Sequence, residues 1–84
     1  MTDAKKAIFA QLHSIVAGET ASEPDAIRAA SYIKHDLGLD DAALTSIIAE
    51  IEARYNVTLE RDEWQDDVTL DFLVDEVKAQ LDAL

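Results

Sequence analysis

Large apolar residues recur every three or four positions in three stretches of this chain, the spacing that lines side chains along one face of an α-helix. In the first stretch Ala4, Ile8, Leu12, Ile15 and Val16 form the stripe and Phe9 broadens it. This predicts a helix from about Ala4 to Ala17, with Thr2 or Asp3 as its cap and Gly18 as its stop. In the second, Leu44, Ile47, Ile48, Ile51 and Tyr55 share a face while Ser46, Glu50, Glu52 and Arg54 fall elsewhere. Asp40 stands where an N-cap belongs, Asp41 follows in the first turn, and Asn56 suits a left-handed stop. In the third, Leu70, Leu73, Val74, Val77 and Leu81 predict a helix over about Leu70 to Leu81, capped by Thr69 and with Asp71 in its first turn.

The stretches between are less regular. Gly18 to Leu39 is long for a structureless loop. Ser22-Glu23-Pro24-Asp25 resembles a helix start, so a short helix is expected over roughly Pro24 to Ala30, with Ile27, Ile33 and Leu37 pinning the segment to the core. After the second helix, Val57 and Leu59 alternate with Thr58 and Glu60, the pattern of a short extended connector. Arg61 to Asp67 leaves room for one helical turn around Trp64.

The turn Asp36-Leu37-Gly38-Leu39-Asp40 resembles the D-L-G-x-D that precedes the modified serine in acyl and peptidyl carrier proteins. In that family the motif continues Ser-Leu, and the serine carries 4'-phosphopantetheine; here it continues Asp41-Ala42. The family's large apolar residues fall six, ten and fourteen places after the serine; counted from Asp41 these are Ile47, Ile51 and Tyr55. A one-residue slip would put Ile48, Glu52 and Asn56 there, a poorer match, so Asp41 holds the attachment position. The resemblance extends over nearly the whole chain: a long first loop, an apolar anchor three residues before the motif's first Asp (Ile33), a short third helix usually entered through a proline that this chain lacks, and the Thr69 cap. It implies an all-α, carrier-protein-like four-helix bundle in a single domain over residues 1–84, with three longer helices and one short one.

Composition sharpens this picture. Eighty-four residues allow one small domain and little room for a deep catalytic cavity. Without cysteine there is no disulfide framework or thiolate metal site. His13 and His35 are the sole imidazoles; neither has the helical spacing to carboxylates that a metal site needs, and His13 and Ser14 read as surface or boundary residues. No G-x-S-x-G, glycine-rich phosphate loop or calcium-loop spacing is present, so catalysis by the chain is not expected. The start reads as amphipathic and no apolar run approaches a membrane span, which leads us to expect a cytoplasmic monomer without signal peptide. The net charge is −11; four acids and four bases cancel in residues 1–35, so all of it lies in residues 36–84. Such a field repels nucleic acid and anionic lipid and attracts basic protein patches.

Asp41 is the telling departure. Attachment of phosphopantetheine needs an aliphatic hydroxyl to attack coenzyme A, whereas a carboxylate would give a labile acyl phosphate; Thr45 and Ser46 lie a turn or more away. Ala42 lacks the apolar contact that the family's leucine offers to partners. The resemblance therefore implies no cofactor here and a module that docks non-covalently, through Asp40, Asp41, Ser46, Glu50 and Glu52, to enzymes of fatty-acid, polyketide or peptide biosynthesis. Asp41 either supplies the negative charge of the family's phosphodiester or is a first-turn acid on a decayed carrier fold. Two other readings stay open: a working carrier altered at Asp41 or loaded at an unusual site, and a small lipid-binding protein using a cleft lined by Ile47, Ile51 and Trp64, where Trp64 is otherwise a lid over the core.

Overall fold

In the computed structural model, residues 3–20, 23–60, 64 and 66–83 are described. They form three α-helices, α1 (Asp3–Glu19), α2 (Asp41–Tyr55) and α3 (Leu70–Asp82), and no β-strand beyond an isolated antiparallel bridge between Tyr32 and Thr69. The chain is all-α among these residues. α1 is the common packing partner, lying most extensively against α3 and also against α2.

The apolar stripes meet in one core. Ile8, Leu12, Ile15 and Val16 of α1 are buried with Leu44, Ile47, Ile48 and Ile51 of α2 and Leu70, Leu73, Val74 and Val77 of α3. Ile27, Ile33 and Leu37 from the first loop, and Leu59 and Val68 from the second, complete it. Tyr55 and Leu81 close their stripes from the rim, half-buried; burial pushes the Tyr55 phenol up, against a smaller opposing pull from Arg54. Ala4 is exposed, contrary to its place in the expected stripe. At that end α1 meets α3 through charge: the Lys5 ammonium pairs with Asp75 at 2.8 Å and Asp71 at 3.2 Å.

These two carboxylates, Asp75 first and then Asp71, raise the Lys5 pKa. A raised lysine contributes stability that is fully present below the ordinary lysine range and is lost as pH climbs through the higher folded value. Urea midpoints measured across the alkaline range are expected to fall more steeply for the wild type than for Lys5→Met. Parallel curves would remove the contribution.

Helix ends follow local chemistry in most places. Thr69 accepts the Phe72 N–H at 3.1 Å as expected of a cap, and Asn56 takes the left-handed conformation (φ 55°) that ends α2. Gly18 does not stop α1, which continues to Glu19. Its φ is not positive, and the chain's exit is fixed one residue further on, where the Thr20 hydroxyl donates to the Leu37 carbonyl. Asp3 is the first residue of α1 and not a residue preceding it, while the alternative cap Thr2 lies outside the described residues.

The expected helix over Pro24 to Ala30 shrinks to a 3-10 turn, Pro24–Ala26, entered from Glu23 without a side-chain cap; Ser22 lies outside the described residues. The reason is competition for backbone groups. Ile27 is extended (φ −90°, ψ 114°) and buried, and the following carbonyls are used elsewhere. Ala29 O accepts from Asp71 N at 2.8 Å, Ser31 O from Leu70 N at 3.0 Å, and Ile33 N donates to Val68 O at 2.9 Å. A helix through these residues would forfeit the ladder that ties the loop to the start of α3.

The connector after α2 behaves as its alternation implies: Leu59 is buried and Val57 half-buried, while Thr58 and Glu60 face solvent. The expected turn of helix over Arg61 to Asp67 falls partly on Arg61, Asp62, Glu63 and Gln65, outside the described residues. Trp64, Asp66 and Asp67 are bends, so no α-helix is found among the described residues between Tyr55 and Leu70.

Candidate functional site

The acidic turn that leads into α2 is built from its own sequence. Asp36 Oδ2 accepts the Tyr32 N–H at 2.7 Å, closing a run in which Asp36 N and Leu37 N donate to Tyr32 O and Gly38 N donates to Lys34 O. Leu37 is buried and anchors the turn. Gly38 then takes φ 69°, a conformation that L side chains rarely adopt, and reverses the chain. Leu39 is half-buried, and Asp40, in extended conformation, caps α2 by accepting the Ala43 N–H at 2.9 Å. Each residue of Asp36-Leu37-Gly38-Leu39-Asp40 thus has a local task. Replacing Asp40 with alanine leaves that first-turn amide to water and is expected to cost about 1 kcal/mol, read from urea unfolding; Asp40→Asn should recover most of it, since its side-chain oxygen still accepts.

This turn delivers Asp41 as the first residue of α2, its side chain 70% exposed. The carboxylate is not isolated. The Lys34 ammonium pairs with it and, at 3.0 Å, with Asp66. Asp41 first and then Asp66 raise the Lys34 pKa, so Lys34 is firmly cationic at neutral pH. Ala42 is exposed beside Asp41, and the next hydroxyls, Thr45 and Ser46, sit on exposed positions further along α2.

The other expected docking residues divide. Glu50 is exposed and lies 3.8 Å from Arg54, whose guanidinium also donates to Gln11 of α1 at 2.7 Å. Glu52 is half-buried and turns inward to accept the Leu59 N–H at 2.9 Å, which fixes the connector after α2. Asp40, Asp41, Ser46 and Glu50 are therefore on the surface, whereas Glu52 has an internal role.

Ile47 and Ile51 have no exposed surface, and Trp64 packs edge-on against Phe72 with ring centroids 5.3 Å apart. An acyl chain reaching those isoleucines would have to displace core side chains. His13 hydrogen-bonds through Nε2 with the Pro24 carbonyl at 2.9 Å, tying α1 to the 3-10 turn. His35 is exposed, and its backbone N–H is the group that is bound. No cluster of potential metal ligands is found among the described residues.

The sequence reading missed Lys34, Asp66 and Asp67. Asp67 accepts three backbone amides: Lys34 N at 2.9 Å and Val68 N at 3.0 Å on Oδ1, and His35 N at 3.0 Å on Oδ2. It holds in place the backbone just before the acidic turn. No motif signals such a pairing, because the partners lie more than thirty residues apart.

No family model, curated protein or solved structure matches the chain. No helix among the described residues is long and apolar enough to cross a membrane.

Proposed function

We propose that this chain is an acyl-carrier-protein-like module of the four-helix type that lacks the attachment hydroxyl and works in the cytoplasm by docking non-covalently to biosynthetic enzymes. One observation carries the reading: a capped D-L-G-x-D turn presents an exposed carboxylate, Asp41, at the first residue of α2. Such a group cannot form the stable phosphodiester of a holo-carrier. It can offer a fixed negative charge at the corresponding helix start, with Asp40, Ser46 and Glu50 on the same surface-exposed helix and its mouth. The short third helix of the four-helix type would fall between Tyr55 and Leu70, where Arg61, Asp62, Glu63 and Gln65 lie outside the described residues.

Intact mass after incubation with coenzyme A and a phosphopantetheinyl transferase tests the reading. The wild-type mass is expected to stay unchanged, and a gain of one phosphopantetheine would convert the module into a working carrier. Proteins captured by the wild type are then compared with those captured by Asp41→Asn, which removes the charge and keeps the shape. Weaker capture by the variant is the expected result; equal capture would sink the charge-based docking. Saturable quenching of Trp64 by fatty acids would instead favour lipid binding, a reading that the complete burial of Ile47 and Ile51 makes costly.

A further inference from the structure

Lys34 is held at both ends. Its backbone N–H donates to Asp67 and its ammonium bridges Asp41 of α2 and Asp66. Although charged, its side chain is only 18% exposed, whereas Asp41 and Asp66 are 70% and 94% exposed. A long lysine side chain confined in this way loses rotamer freedom, and a well-fixed backbone at residue 34 lowers that entropic cost. Asp67 supplies the fixing, since it also binds the amides of His35 and Val68. The start of α2 and the segment just ahead of α3 are thus joined through one residue.

We infer that Lys34 couples Asp41 to the Asp66–Val68 segment, so that any group that takes the Asp41 carboxylate from Lys34 loosens the chain ahead of α3. The coupling is reciprocal: loosening that segment frees Asp41 for a partner. The inference rests on the proposed function only in treating Asp41 as the residue a partner meets; the coupling itself needs no partner. It assigns a consequence to docking, namely that occupation of the α2 mouth is felt where the first loop is laced to α3.

Amide hydrogen exchange of the intact chain, followed residue by residue by NMR, tests it. Asp41→Asn is expected to speed exchange at Lys34, His35 and Val68 about threefold, the size of an exposed ion pair, while Leu12 and Val16 in α1 keep their rates. Lys34→Met, which also removes the Asp66 contact, should give at least that increase. The double variant should exchange as Lys34→Met does, because the Asp41 contact acts through Lys34. Asp67→Asn, which keeps an acceptor oxygen for two of the three N–H donors and turns an NH2 group towards the third, should lower protection there further; if that variant does not fold, the other three proteins still decide. Unchanged rates in Asp41→Asn, additive increases in the double variant, or equal acceleration throughout α1 would each overturn the coupling. None of these outcomes depends on whether the chain accepts phosphopantetheine, so failure here is distinct from failure of the carrier-like reading.

Discussion

Replacing Leu12 with alanine is expected to lower stability by about 3 kcal/mol, enough to shift the thermal midpoint by roughly 15 °C in a domain of this size. Leu12 has no exposed surface and sits on α1, the helix against which both others pack. Truncation removes its transfer free energy and leaves a cavity that three helices would have to collapse together to fill. A domain this small has of the order of 5–15 kcal/mol in total, so this single change removes a large fraction. Urea unfolding should show a lower midpoint with an unchanged slope. Ser14→Ala, two residues away on the exposed side of the same helix, should stay within about 0.5 kcal/mol. A loss below 1 kcal/mol for Leu12→Ala would mean that α1 is not the centre of the packing.

Asp67→Ala is expected to be nearly as damaging, at about 2–3 kcal/mol, although it removes no apolar surface. Three backbone N–H groups on two separate segments lose a charged acceptor at once. Water can reach some of them, which keeps the figure below the sum of three buried bonds. The adjacent Asp66 gives the contrast. Its carboxylate is 94% exposed and pairs with Lys34, and exposed ion pairs contribute little, so Asp66→Ala should change stability by less than about 0.5 kcal/mol. The ratio of the two effects, measured by urea unfolding under identical conditions, checks the assignment. Equal effects would show that the amide bonds of Asp67 add nothing beyond surface charge.

The helices were legible because their information is local. The stripes through Leu12, Ile47 and Leu73 need only the helical period, and the caps Asp40 and Thr69 need only their own first turns. The acidic turn was legible for the same reason, since Asp36, Gly38 and Asp40 each act within a few residues of themselves. What the sequence concealed depends on distant partners. Pro24 to Ala30 looked helical, yet Leu70 and Asp71 at the start of α3 claim the Ser31 and Ala29 carbonyls, and Val68 just ahead of it claims the Ile33 amide. Glu52 looked like part of a solvent-facing acidic surface until the connector returned beneath it. Lys34 looked like one basic residue among several cancelling charges, and only the fold places it between Asp41 and Asp66. The candidate site was therefore readable at Asp40 and Asp41 and unreadable in what holds them.

The central place of α1 has a consequence for synthesis. Of the three helices, the earliest to be synthesised makes its most extensive packing with the latest. Even with α2 in place, the part of the apolar face of α1 that α3 covers stays exposed until Leu70 to Asp82 has emerged, and closure of that long loop sets when the core can assemble.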